Sequence, residues 1–219
     1  MKLSESTLSI LKNFSTINSG FIIRPGKLQK TLSTDKSIMA EVEFEDDFTT
    51  EFGIYDLNQF LGNVSALSNP DLEFDDNSVV MSDGTFSLKY YSCATNLIVS
   101  MPLDKTLTLN NPDVTFDMSN TTLSKILRLA NMNGLPNISV IGENGGMFAQ
   151  CHDSTNNSSN YVKTAVGEYT GKDFISTFKA ANLKMIPDDY HVEIKFNGFS
   201  KFTSKTRKLV YYVAMDVEK

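Results

Sequence analysis

The chain has 219 residues, 41% of them hydrophobic and 21% charged, enough apolar material for one large or two small cores and too much for a wholly disordered polypeptide. Its 20 Lys and Arg against 26 Asp and Glu give a net charge of −6, which excludes a uniformly nucleic-acid-seeking surface and leaves room for a local basic patch. Apolar runs such as 21–23 and 97–99 are only a few residues long, far below the roughly 20 that a membrane-spanning helix needs. The opening Met1-Lys2-Leu3-Ser4-Glu5 has no apolar signal core, and the two cysteines, Cys93 and Cys151, are not in CxxC spacing, so a cytoplasmic, reducing location is expected. Asn-x-Ser/Thr matches such as Asn63-Val64-Ser65 and Asn120-Thr121-Thr122 then carry no sugar.

Along the chain, helical periodicity predicts a first helix over residues 4–18, with Ile10, Phe14 and Ile17 on one side, Lys12 and Thr16 on the other, and Gly20 as its stop. Short β-runs follow at 20–24, 28–32, 38–44 and 52–55. Asp56 and Gln59 form a capping-box pattern that opens a second helix over 56–68, with Leu57, Phe60, Leu61 and Val64 at i, i+3, i+4 and i+7. Strands are expected at 71–74, 79–82, 86–91 and 96–100, and the Pro- and Asn-containing stretch 101–113 reads as a connector. A third helix over 119–133 places Leu123, Ile126, Leu127 and Ala130 opposite Thr121, Lys125 and Arg128. Strands are then expected at 137–141, 147–151 and 161–166. A fourth helix is predicted over 171–183, with Phe174, Phe178 and Ala181 inward and Lys172, Ser176 and Lys179 outward. Strands at 190–197 and 208–217 complete the chain. Ser82-Asp83-Gly84 and Glu143-Asn144-Gly145-Gly146 read as hairpin turns and 153–160 as a mobile polar loop.

The first and second helices lie about fifty residues apart, and so do the third and fourth, which marks a duplication. The fold class expected is therefore α+β, with two similar domains, residues 1–105 and 106–219, each of two helices packed on antiparallel sheets.

Catalytic groupings are thin. Cys151-His152-Asp153 contains the residue types of a nucleophile, a base and an acid, but neighbours on a strand point to opposite faces. Cys151, His152 and His191 lack metal-ligand spacing, and no cofactor or metal is expected. Residues 167–172 have the wrong glycine interval for a phosphate loop. The acidic run Glu41, Glu43, Glu45, Asp46, Asp47 reads as a solvated strand face. Counted with their flanks over 2–19, 56–68, 119–133 and 171–184, the four helical segments carry net +4, leaving −10 on the remainder. That distribution suits helices turned towards a polyanion, and it also suits ordinary solvated helix faces.

Leu11-Lys12-Asn13-Phe14-Ser15-Thr16-Ile17-Asn18-Ser19-Gly20 and Ile54-Tyr55-Asp56-Leu57-Asn58-Gln59-Phe60-Leu61-Gly62 resemble the sliding clamp, the DNA polymerase processivity factor, of T-even-type bacteriophages. Asn182-Leu183-Lys184-Met185-Ile186-Pro187 and Tyr211-Tyr212-Val213-Ala214 agree with it. The resemblance implies a non-catalytic closed homotrimer with twelve helices inside and sheets outside. The ring would encircle duplex DNA without sequence preference and tether the phage DNA polymerase in the host cytoplasm. A separate ATP-driven clamp loader, and late-transcription factors, are further implied partners. A non-ring single-strand-binding or structural phage protein, and a hydrolase using Cys151 or His152, are the alternatives.

By that resemblance Lys12, Arg128 and Lys184 face DNA; Lys125, Lys172 and Lys179 are added from helical geometry. Leu103, Leu107 and Leu109 of the connector, with Val213 and Met215 of the last strand, are the expected pocket for a partner's apolar tail. Subunit contacts are expected where Leu97, Ile98 and Val99 meet Tyr161 and Val162 of the next chain.

Overall fold

Ser4 opens the first helix, α1 (Glu5–Ile17), by accepting the Thr7 amide on its hydroxyl, and the apolar stripe Ile10, Leu11, Phe14 and Ile17 is buried beneath it. The computed structural model describes residues 1–156 and 158–216. Val217, the expected end of the last strand, and Asn157, within the expected mobile loop, lie outside the described residues. The chain divides into two units, Met1–Thr106 and Leu107–Lys219.

In unit 1, α1 is followed by β1 (Phe21–Ile23), β2 (Gly26–Leu32), β3 (Ile38–Phe48), β4 (Phe52–Ile54), α2 (Leu57–Ala66), β5 (Asp71–Phe74), β6 (Ser78–Ser82) and β7 (Ser87–Tyr91). β1 pairs with β4 and β2 with β3, while β5-β6-β7 form a meander, all antiparallel. Asp56 caps α2 by accepting the Gln59 amide. A run of rings, Phe21, Phe14, Phe44, Phe48, Phe74, Phe52, Tyr90 and Phe60, threads the core with successive centroids 5.4–6.5 Å apart, the spacing at which edge-to-face contact is favourable.

Unit 2 runs β8 (Val114–Met118), α3 (Asn120–Met132), β9 (Asn137–Glu143), β10 (Gly146–His152), β11 (Val162–Glu168), β12 (Phe174–Lys179), a 3-10 turn (Ala180–Asn182), β13 (Tyr190–Ile194), β14 (Phe199–Ser204) and β15 (Leu209–Ala214). One sheet has the order β11-β10-β9-β12; a second ladder joins β8, β13, β14 and β15.

The duplication lies in this connectivity. The β1–β4 and β2–β3 pairs of unit 1 return as β9–β12 and β10–β11, and the β5-β6-β7 meander returns as β13-β14-β15. Even the β8–β13 pairing has a remnant in unit 1, where Met1 and Leu72 exchange both backbone hydrogen bonds.

The fourth helix is a correction. Residues 174–179 form β12, paired with β9 from Phe174↔Gly142 to Lys179↔Asn137, and only the 3-10 turn stands where α2 stands in unit 1. Unit 2 therefore has one α-helix among its described residues. Phe174 and Phe178, four apart, fit a helical stripe and one face of a strand equally well. Phe174, Ile175, Thr177 and Phe178 are strand formers, and Gly142 leaves the space across β9 that the Phe174 ring occupies. That ring stacks with Tyr169 at 4.9 Å and Phe196 at 5.0 Å, contacts invisible to local periodicity.

The chain after the 3-10 turn is fixed by buried polar groups. Tyr190 donates its hydroxyl to Ile186 O at 2.5 Å and Tyr211 accepts the Ile186 amide at 3.2 Å; burial holds both phenols above their ordinary range. Asp188 ties the same segment to the β14–β15 hairpin through Ser204, Thr206 and Arg207. Residues 96–100, expected as a strand, instead contain the 3-10 turn Thr95–Leu97 and irregular chain. No described helix is long and apolar enough to cross a membrane.

Candidate functional site

The apolar stripe of each helix is spent on its core, so its opposite face is set for external contact. On α1 that face carries Lys12, and on α3 it carries Lys125 and Arg128, all three exposed. None of the three has a carboxylate partner among the described residues, which leaves their charge available to an external anion. The exposed face of α2 offers only neutral groups, Asn58, Gln59, Gly62 and Ser65.

Lys172 and Lys179, placed by helical geometry, are not on a helix. Lys172 lies in the bend before β12, and Lys179 ends β12 with its ammonium 4.0 Å from Asp216. Lys184 is exposed just beyond the 3-10 turn.

The residues with catalytic potential are dispersed. Cys151 is fully buried and donates its thiol to Ile126 O at 3.3 Å; burial pushes that thiol up to about 11, so it stays protonated and unreactive at neutral pH. His152, on the opposite face of β10, meets Ser139 Oγ at 2.7 Å. His191 bonds instead to Asp117 at 3.0 Å. In the acidic run of β3, Glu41 pairs with Lys30 and Asp46 accepts the Ser4 amide, while Glu43, Glu45 and Asp47 are exposed.

Comparison with known proteins decides among the readings. A family model described as DNA polymerase processivity factor matches residues 2–92. The sliding clamp of Vibrio phage KVP40 is 29% identical over 221 aligned residues, covering 99% of both chains. The sliding clamp of Escherichia phage RB69 is 27% identical, covering 100% of this chain and 98% of its own. The chain is similar to the phage sliding clamps over its whole length. The clamp fold extends to an A. fulgidus PCNA solved with the C-terminal region of FEN-1, which superposes with a TM-score of 0.72 at 13% identity, covering 97% of this chain and 95% of that one.

The expected partner and subunit residues divide by burial. Leu103, Leu107, Leu109 and Met215 are half-buried, with Met215 sulfur accepting from Ser200 Oγ at 3.2 Å. Val213 is fully buried and belongs to the core rather than to a docking pocket. Leu97, Val99 and Tyr161 are exposed and Val162 half-buried, whereas Ile98 is 8% exposed and packs beside Gly20.

Of the sheet edges expected at subunit contacts, the one at Tyr161 and Val162 falls at the start of β11, whereas the other was placed at 97–99 rather than on β7. Among the described residues β7 pairs only with β6, and β11 only with β10, and Tyr91 at the end of β7 and Tyr161 just before β11 stand exposed. Both strands were expected from alternation, but whether a strand is central or terminal depends on long-range pairing. Lys30 was also missed. Its side chain is wholly buried, and nothing in Leu28-Gln29-Lys30-Thr31-Leu32 distinguishes it from a solvated strand lysine.

Proposed function

We propose that this clamp acts as a closed homotrimer that encircles duplex DNA and tethers the phage DNA polymerase for processive replication in the host cytoplasm. The likeness to named sliding clamps over the length of both units carries this reading, because topological tethering requires a complete ring element rather than one conserved patch. The mechanism needs no chemical step. Encirclement converts rebinding of the polymerase into an intramolecular event at high effective concentration. Lys12, Lys125, Arg128 and Lys184 supply weak, sequence-independent phosphate contacts, which allow sliding.

Head-to-tail assembly pairs the β7 edge of one chain with the β11 edge of the next, with Leu97, Val99, Tyr161 and Val162 near the seam. Such a heterologous contact closes when its rotation returns to the start, and closure removes exposed edges. A separate ATP-driven loader opens the ring on DNA, and partner tails, including those of late-transcription factors, use Leu103, Leu107, Leu109 and Met215.

Light scattering across a concentration series should give three times the 24.4 kDa chain mass. On primed circular DNA with polymerase and loader, product length should rise, and linearising the template should let the clamp slide off. A persistent monomer, or equal retention on circular and linear DNA, would overturn the ring reading.

A further inference from the structure

Residues 101–106, the unit 1 end of the connector, form neither helix nor strand. Just before them, Asn18 Nδ2 donates to Val99 O at 3.0 Å and Arg24 to Ser100 Oγ at 3.1 Å. Beyond Ser100, the main chain of 103–106 receives hydrogen bonds from outside the connector at two carbonyls among the described residues, and both come from one atom. Lys30 Nζ donates to Leu103 O at 3.1 Å and to Lys105 O at 2.7 Å, and it pairs with Glu41 Oε2 at 2.8 Å. The ammonium has three protons; two are donated to these carbonyls, and Glu41 Oε2, which takes no hydrogen bond, faces it as an ion-pair partner. Its side chain is wholly buried and that of Glu41 is 23% exposed.

A buried ion pair is a poor device for stability, since desolvating two charges offsets most of their attraction. What this pair provides is direction: it fixes two successive stretches of an irregular chain to the β2–β3 hairpin, where no backbone ladder does so. Lifting the connector would strand the ammonium with one partner instead of three. We propose that Lys30 is the positioning residue of the clamp's connector, a latch that holds Leu103 in the arrangement an incoming apolar partner tail meets. This rests on the tail-docking role given to the connector above. Preorganisation of this kind raises affinity by removing the ordering cost from the binding step.

The test uses the full chain carrying Lys30→Met with Glu41→Leu, which removes both charges at similar volume, so the hairpin keeps an apolar interior. Hydrogen–deuterium exchange within 103–106, read at the Lys105 amide that donates to Pro102 O, should quicken tenfold or more while β2 and β3 stay protected. The Kd of a fluorescent peptide carrying about ten C-terminal residues of the phage DNA polymerase should rise about fivefold, with the assembled mass unchanged. The single Lys30→Arg variant, which retains donors for both carbonyls, should recover part of each effect. Parental exchange at 103–106 would overturn the latch, and faster exchange with an unchanged Kd would overturn its positioning role. A parent chain that does not bind the peptide would instead overturn the tail-docking reading, while the exchange result still judges the latch.

Discussion

Asp188 shows how one side chain secures a segment without regular structure. Its carboxylate, 4% exposed, accepts from Ser204 Oγ at 2.5 Å, Thr206 Oγ1 at 2.7 Å, the Asp189 amide at 2.8 Å and Arg207 at 2.9 Å. Burial by itself would raise the carboxyl's pKa, but the two hydroxyls, the amide and the guanidinium outweigh it and hold the group below the ordinary carboxylate value of 3.8. A pKa depressed by folding contributes stability that is complete above the unfolded value and is lost as pH falls through the folded one. Asp188→Ala leaves those donors without their acceptor and should destabilise unit 2 by about 2–3 kcal/mol at pH 7. Urea unfolding repeated at successively lower pH below 3.8 should show the gap between variant and parent shrinking, because the parent progressively loses the same contribution. An equal gap at every pH would mean that the carboxylate's charge is immaterial and only its shape matters.

At the scale of elements, helix starts are set by local chemistry. Ser4, Asp56 and Ser119 each accept the amide three residues on, and Ser119→Ala should cost about 1 kcal/mol, read as a lower denaturant midpoint with an unchanged slope. Three helices were therefore legible from apolar stripes and stops. The fourth failed because Phe174 and Phe178 satisfy two periods, and because β12 is stabilised by its ladder with β9 and by Tyr169 and Phe196. β14 was missed for the opposite reason: its core-facing positions are Ser200, Phe202 and Ser204, so two of the three inward residues read as polar. β8 did show strict alternation, from Val114 to Met118, but its five residues were left unassigned between the connector at 101–113 and the helix at 119–133. The site divides in the same way. Lys12, Lys125 and Arg128 follow from helix faces and the β11 edge was expected at Tyr161 and Val162, whereas the free edge of β7 and the burial of Lys30 exist only once distant strands pair.

The whole molecule is acidic, net −6, yet the exposed faces of its helices show only cations or neutral groups beyond the first turn of α1. For a ring that slides this is a workable compromise: the shell resists non-specific adhesion, and a few lysines and arginines give transient phosphate contacts without arresting motion. The balance can be tested through salt. Each phosphate neutralised contributes about 0.9 to the slope of log affinity against log salt. Lys125→Ala with Arg128→Ala removes both cations of α3, so the slope for retention on circular DNA should become shallower by about 2 when one α3 at a time contacts the backbone. Processive length should fall most at moderate salt, where the remaining contacts are already screened. Neither residue has a carboxylate partner among the described residues, so folding and assembled mass should be unchanged. A slope equal to that of the parent would mean that α3 does not meet phosphate, and it would shift the DNA contact to Lys12 on α1 and to Lys184.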